Sequence, residues 1–175
     1  NGMSRISINP QTMKQETLHI IGRHHTVEQT IESFKLARSL GFDNINMDLI
    51  MGLPEEDLED VRHTMEVLKE LDPDNITIHS LAIKRAARLN IFKDRYESMQ
   101  MVNTQEHMDL CASICKEMGL SPYYLYRQKG MAGNMENVGY AKPGKAGVYN
   151  ILIMEEKQTI VACGAGASTK RVWPI

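Results

Sequence analysis

The chain has 175 residues, of which 42% are hydrophobic and 24% charged, with a formal net charge of −2. This composition is typical of an ordinary globular protein and excludes a disordered one. It offers no basic surface that would indicate binding to nucleic acid or to an anionic membrane. No apolar run approaches the roughly 20 residues that a membrane-spanning helix needs. Three cysteines without a recognisable secretory signal predict reduced thiols and a cytoplasmic location.

The first half of the chain alternates strand and helix patterns. A short strand is predicted over residues 5–9, and Thr26 with Gln29 forms a capping box that opens a helix ending at Gly41. A second strand covers 44–51. The acidic residues 55–57 are predicted in the first turn of the next helix, which stops at Asp72. A third strand covers 75–80. This alternation predicts parallel strands joined by right-handed crossovers.

The second half begins with a long helix, predicted from about residue 98 to residue 118. Two later apolar runs, residues 148–154 and 159–163, predict a β-hairpin that turns over residues 155–158. We therefore divide the chain into a strand–helix part, residues 1–95, and a C-terminal helix with a glycine-rich β extension, residues 96–175, packed on the same domain.

The stretch CASICKEM places Cys111 and Cys115 four residues apart, with Met118 where a third cysteine would complete C-x3-C-x2-C. A stripe at three-and-four spacing runs through both cysteines and through Met101, Met108 and Met118. Since a third ligand is missing, this pattern favours buried packing cysteines over metal ligands. We predict no metal site in this chain.

Each of the three strands predicted in the first half carries polar side chains on one face. The alternation of strand residues places apolar side chains opposite them. The polar members are Ser7, Asn9, Gln11, Asn46, Asp48, Thr77 and His79. Parallel strands covered by helices are normally apolar on both faces. The pattern therefore predicts a barrel-like sheet with helices on the apolar side and a polar interior.

Asp48 is the polar residue most costly to place in such a strand, because burying an unpaired carboxylate lowers the folding stability by several kcal/mol. Arg23 is the candidate partner within the chain. The two could form a structural ion pair, or both could bind a polar ligand at the carboxyl ends of the strands. His79 is as compatible with a core histidine as with a functional one.

Residues 164–167 read Gly-Ala-Gly-Ala after the last predicted strand. Glycines at such a position allow the backbone to approach a ligand or another strand closely. The segment lacks the third glycine and the following helix of a dinucleotide-binding fingerprint.

Several motifs occur together in one order. They are RISINPQT at 5–12, GRH at 22–24, MDLIMGLP at 47–54, YAKPG at 140–144, Asn150 and GAGA at 164–167. In this combination the chain resembles the second half of the radical S-adenosylmethionine (SAM) core of oxygen-independent coproporphyrinogen III oxidases, the HemN/HemZ-like proteins. The resemblance implies an α/β fold: part of a TIM-like (β/α) barrel with parallel strands and outer helices. The predicted C-terminal β-hairpin would extend it.

The resemblance also implies a set of site residues. Gln11, Arg23, Asp48 and Ala82 match positions that contact SAM, and Gly164, Gly166 and Ala167 match a glycine-rich segment near the cofactor pocket. Asp48 would hold the cofactor or the substrate. The cysteine triad that holds the family's [4Fe–4S] cluster would precede Asn1, so its ligands are expected outside this chain.

By this resemblance, the full-length enzyme would convert coproporphyrinogen III to protoporphyrinogen IX by oxidative decarboxylation, with a reductant protein supplying electrons to the cluster. The 175-residue chain alone is expected to be inactive. Its strand edge at residues 5–9 is expected to be exposed. The chain is therefore expected either to self-associate through this edge or to have a pocket that is open on one side. Two alternatives remain: a heme-binding or heme-delivery protein on the same scaffold, and an unrelated barrel enzyme that uses Asp48 and Arg23 on a phosphorylated substrate.

Overall fold

The fold is built on one five-stranded sheet in the order β1-β2-β3-β5-β4. A computed structural model describes residues 4–81, 102–126 and 135–173. The strands are β1 (Ile6–Ser7), β2 (Ile45–Met51), β3 (Asn75–Ser80), β4 (Ser121–Tyr126) and β5 (Asn137–Ala141). The first three are parallel, as predicted, while β5 runs antiparallel to both β3 and β4.

Five helices accompany the sheet in the described ranges: α1 (Gln15–Ile20), α2 (Val27–Ser39), α3 (Leu58–Leu71), α4 (Gln105–Glu117) and α5 (Val148–Met154). Helices α2, α3 and α4 supply apolar side chains to the main core, and α5 lies against β4. The predicted helix from residue 98 begins at Gln105 in the described part of the chain.

The predicted helix ends are confirmed where local sequence encodes them. Thr26 caps α2 through the backbone N–H of Gln29, and the Gln29 side chain accepts from the Thr26 N–H, which completes the capping box. Gly41 follows α2 with φ of 88°, a left-handed conformation that glycine adopts without a steric penalty. Asp72 ends α3.

The acidic stretch before α3 differs from its prediction. Helix α3 begins at Leu58, and Asp57 is its N-cap, accepting from the backbone N–H groups of Glu59 and Asp60. Glu56 therefore precedes the helix, and it is 5% exposed. Its side chain is turned into the protein rather than placed on the solvent side of a first turn.

The core lies on the apolar face of the sheet. Met47, Leu49 and Ile78 are fully buried there, and the Cys111 thiol donates to Met51 Sδ at 3.7 Å. Burial raises the pKa of Cys111 to about 12 and also raises that of Cys115. The predicted burial of both cysteines on the α4 face is confirmed, in a setting that disfavours the thiolate a metal would need.

The predicted C-terminal hairpin is wrong. Residues 148–154 form helix α5, and 159–163 contribute only an isolated bridge between Ile160 and Lys170. A short apolar run has no decisive period, so β-branched residues favoured a strand that tertiary packing did not select. The antiparallel pair of the second half is β4 with β5 instead.

The predicted boundary between residues 1–95 and 96–175 stays a prediction, although β5 of the second part pairs directly with β3 of the first. In the described ranges no helix has the length and apolar character needed to cross a membrane.

Candidate functional site

A cavity of about 290 Å³ lies on the polar face of the sheet. We call it the polar chamber. Its floor consists of side chains from the three parallel strands: Ser7, Asn46, Asp48, Thr77 and His79. Its walls come from the start of the chain, β4 and α5: Arg5, Tyr124, Tyr126, Tyr149, Asn150, Ile153 and Met154. The predicted polar interior is thus present, and its five strand residues converge on one space.

Strand register places Asp48 in the middle of this floor. Asp48 pairs with Thr77 of β3, Thr77 with Gly139 of β5, and Gly139 with Tyr124 of β4. Side chains in register on one sheet face are neighbours. The row therefore presents a carboxylate, a hydroxyl and a phenol across the chamber.

Gly139 makes room for the phenol. A Cβ at this position would overlap the ring of Tyr124, which lies across the glycine. Tyr124 also stacks on Tyr126, with ring centroids 6.3 Å apart. Burial raises the pKa of Tyr124 to about 12, so the phenol remains a hydrogen-bond donor at neutral pH.

Asp48 is the anionic group of the chamber, with 24% of its side chain exposed. Burial alone would raise the pKa of Asp48, but the approach of His79 and the hydrogen bond from Asn46 outweigh it and lower the pKa below its usual value. Asn46 Nδ2 donates to Asp48 Oδ1 at 2.7 Å. The carboxylate is therefore ionised at neutral pH and can accept from a polar or cationic ligand.

The predicted partner of Asp48 needs correction. His79, not Arg23, faces the carboxylate, with Nε2 3.8 Å from Asp48 Oδ2. Arg23 is exposed after α1, where its backbone N–H donates to Leu18 O at 2.8 Å. No ion pair between Arg23 and Asp48 occurs among the described residues. The structure thus assigns His79 to the site, which sequence left undecided.

Gln11 lies beside Asp48 because its backbone is hydrogen-bonded to β2. Its N–H donates to Asp48 O at 3.0 Å, and its carbonyl accepts from Ile50 N at 2.9 Å. The side chain is 9% exposed, and its Nε2 donates to Asn9 O at 3.2 Å. Gln11 has φ of 71°, a left-handed conformation that is uncommon outside glycine. It borders Asp48 but is not part of the chamber lining.

The other predicted site residues are not assembled at the chamber. Ala82 lies outside the described residues. Gly164 and Ala167 form an exposed turn closed by Ala167 N donating to Gly164 O at 3.2 Å, and open space surrounds Gly164 and Gly166. Their assignment to the cofactor pocket stays a prediction.

Sequence reasoning missed the wall of the chamber that α5 forms, because it assigned residues 148–154 to a strand. Asn150 Nδ2 donates to the hydroxyl of Tyr123 at 3.0 Å, which joins α5 to β4. Arg5 was also missed; its Nε is buried without a hydrogen-bond partner in the described chain. Asn150 and Arg5 are polar residues within segments that were predicted to be strands. That polarity was the signal in the sequence that could have assigned them to the site.

No cluster of three or more His, Cys, Asp or Glu side chains suited to a metal ion occurs within residues 4–81, 102–126 and 135–173. The buried thiols Cys111 and Cys115 lie in the core, and Cys163 is exposed. The described donor set therefore does not fit an iron–sulfur cluster. It does fit a polar organic ligand.

Comparison with known proteins supports the resemblance. Residues 1–68 match the Radical SAM superfamily model. The chain is 49% identical over 168 residues to the oxygen-independent coproporphyrinogen-III oxidase-like protein HemZ of Bacillus subtilis, covering 96% of this chain and 34% of that protein. It is 27% identical over 168 residues to the heme chaperone HemW of the same organism, covering 95% of this chain and 41% of HemW.

Among solved structures, coproporphyrinogen III oxidase (HemN) from Escherichia coli, a radical SAM enzyme, superposes with a TM-score of 0.63 at 20% identity. The match covers 88% of this chain and 32% of that one, and it shows a common fold. The chain thus spans between about a third and two fifths of the length of these relatives. Residues 1–68 thus match the Radical SAM superfamily model, and the chain has a mixed α/β fold with a parallel-rich sheet that is similar to part of HemN.

Proposed function

We propose that this chain forms the second half of the SAM-binding core of an oxygen-independent coproporphyrinogen III oxidase, which decarboxylates coproporphyrinogen III to protoporphyrinogen IX in heme biosynthesis in the cytoplasm. The observation that carries the proposal is the ionised Asp48 at the centre of the polar chamber. When bound, SAM and a [4Fe–4S] cluster supply the one-electron chemistry of the reaction. We place the cluster ligands outside this chain.

The chemistry of the chamber supports an adenosyl ligand. A carboxylate accepts hydrogen bonds from ribose hydroxyls or from a ligand ammonium. Thr77 and Ser7 add hydroxyl groups beside Asp48, and the Tyr124 ring offers an aromatic face to an adenine. In our proposal Asp48 holds the ligand from the middle of β2, while the family resemblance adds Gln11 as a contact beside Asp48 and Arg23 as the partner of the ligand carboxylate.

Ala82, Gly164, Gly166 and Ala167 complete the proposed contact set on the strength of the family resemblance alone. Gly164 and Ala167 form an exposed turn in this chain. In our proposal this turn is covered when SAM or a further part of the protein packs on it. The reductant protein for the cluster and a porphyrinogen substrate are the partners that this function implies.

Calorimetric titration with S-adenosylhomocysteine tests the adenosyl site without any cluster. We expect Asp48→Asn to weaken binding by about tenfold or more, the loss of one charge-assisted hydrogen bond. Asp43→Asn is the matched control, because Asp43 is 80% exposed and pairs with Lys145 away from the chamber lining. Equal affinity in both variants would falsify the assignment of Asp48.

The similarity to HemW favours a second candidate: a heme-binding or heme-delivery protein on this scaffold. The experiment uses the full-length protein with a reconstituted cluster, incubated with coproporphyrinogen III or titrated with hemin. Protoporphyrinogen as product supports the oxidase. Stoichiometric hemin binding without vinyl products supports heme handling. We expect the 175-residue chain alone to show no decarboxylation.

Self-association is the remaining expected interaction. Among the described residues β1 pairs only with β2, so it is an edge strand. Ile6 and Ile8 donate to β2, which leaves the Ser7 N–H directed away from that partner. We expect light scattering to detect concentration-dependent dimers, which Ser7→Pro reduces. A monomer at every concentration would remove this expectation.

A further inference from the structure

A buried carboxyl group is present outside the chamber lining and outside the proposed ligand contacts. Glu56 is 5% exposed and lies in the turn between β2 and α3. Its Oε1 accepts a hydrogen bond of 2.5 Å from the hydroxyl of Thr12, which is 1% exposed. These two residues are 44 positions apart in the chain, so the bond joins the turn after β1 to the turn after β2.

The hydroxyl of Thr64 on α3 extends this contact. Met13 N donates to Thr64 Oγ1 at 3.1 Å, and Lys14 N donates to Thr12 Oγ1 at 3.1 Å. We call Glu56, Thr12 and Thr64 the threonine clamp. Two consecutive backbone N–H groups after Thr12 are thus satisfied by clamp hydroxyls, so the clamp sets the path of the backbone there.

Gln11 immediately precedes the clamp. On its other side it is fixed to β2 by the bonds to Asp48 O and Ile50 N. Both turns that the clamp joins contain a non-glycine residue with positive φ: Gln11 at 71° and Glu55 at 58°. Such conformations persist only where the surroundings hold them. The clamp supplies that constraint on one side of Gln11.

The charges around Glu56 come from two elements. Lys14, at the start of α1, is engaged with Asp60 of α3 at 2.7 Å and donates to Glu55 O at 2.7 Å. Asp57 caps α3. Glu56 therefore has the Asp60 carboxylate near it and a lysine that is already paired. A buried carboxyl in these surroundings favours its neutral form.

The hydroxyls around Glu56 oppose this preference, because a hydroxyl that donates to a carboxylate favours its ionised form. Thr17 of α1 is fully buried, and its hydroxyl faces Glu56 from the α1 side. Burial, reinforced by Asp60, raises the pKa of Glu56 to about 7, against the opposing effects of the Thr12 and Thr17 hydroxyls and of Lys14. Near neutral pH the group is divided between its two forms.

We propose that Glu56 is a positioning residue: as the neutral acid it stays buried in the threonine clamp and holds Gln11 against β2 for the adenosyl ligand. Ionisation strengthens the single bond from Thr12 but leaves a buried anion near Asp60, and the cost of burying that charge favours opening of the turn. The proposal rests on the proposed function for its ligand. Its structural part, the pH-dependent order of residues 11–14, stands independently of any ligand.

Amide hydrogen exchange of the 175-residue chain tests the structural part. The protection of residues 11–14 is measured at pH 6 and pH 8 and corrected for intrinsic exchange. The neutral fraction of Glu56 falls about tenfold across this range, so wild-type protection should fall by up to that factor. Glu56→Gln, which keeps a neutral oxygen for Thr12, should hold protection constant. Glu70→Gln, on the exposed side of α3, should behave as wild type.

Titration with S-adenosylhomocysteine at the same two pH values tests the coupling to the ligand. We expect wild-type affinity to fall about tenfold from pH 6 to pH 8 and Glu56→Gln to lose that difference. An identical pH dependence of protection in wild type and Glu56→Gln overturns the inference. Absence of binding in every variant contradicts the proposed function, and the exchange result still decides the role of Glu56.

Discussion

Asn46 and Asp48 lie two residues apart on the same face of β2, and the Asn46 amide donates to the Asp48 carboxylate at 2.7 Å. The Asn46 carbonyl oxygen accepts from Thr77 Oγ1 at 3.1 Å. Asn46 is 3% exposed. One amide thus orients the carboxylate and satisfies the neighbouring hydroxyl.

Asn46→Ala should destabilise the chain by about 2 kcal/mol, because it leaves a buried hydroxyl and a carboxylate without their partner. Because the pKa of Asp48 is lowered in the folded state, its carboxylate stabilises the fold at pH values above the unfolded-state pKa. This contribution is lost as pH falls through the folded-state pKa. The difference in unfolding free energy between wild type and Asn46→Ala should therefore be smaller at acidic pH. Urea unfolding measures it, with the exposed Ser33→Ala as control. Equal stability at neutral pH contradicts this role.

Glu56→Gln should make the chain more stable at alkaline pH. The pKa of Glu56 is raised from 4.5 to about 7, so its contribution is present below the unfolded-state value and is lost as pH rises toward 7. At pH 8 the glutamine variant should exceed wild type by about 3 kcal/mol, with little difference at pH 4. Urea unfolding at both pH values provides the measurement. A constant difference would show that the pKa of Glu56 is the same in the folded and unfolded states.

Gly139→Ala should displace the Tyr124 ring, because the added Cβ overlaps it. Overpacking of this kind costs about 1–3 kcal/mol. Combining it with Tyr124→Ala should recover most of the loss, since the overlapping ring is then absent. A double-mutant cycle in thermal unfolding measures this coupling. Strictly additive effects of the two substitutions would mean that the ring does not occupy the glycine position.

Thiol labelling should distinguish the three cysteines. Cys163 is exposed and should react quickly in the native chain, whereas Cys111 and Cys115 are buried. Burial raises the pKa of both buried thiols, which removes the reactive thiolate. We expect one fast-reacting thiol in buffer and three in denaturant. Rapid reaction of Cys111 or Cys115 in the native state would contradict their packing role.

The sequence by itself determined the regular part of the fold. Alternating polar and apolar residues in the first three strands identified the sheet and its polar face, because side chains of a strand alternate between faces. The capping box of Thr26 and Gln29 fixed the start of α2 through contacts only three residues apart. Such signals are local, so they survive without knowledge of the tertiary structure.

Only the tertiary structure decided which distant groups meet. His79 rather than Arg23 faces Asp48, because strand register brings β3 beside β2 while Arg23 lies on the surface after α1. Glu56 is buried through its bond to Thr12, 44 residues away. Residues 148–154 became a helix because packing on β4 prevailed over weak local preference. Non-local contacts of this kind have no signature in residue spacing, since they depend on how the whole sheet is assembled.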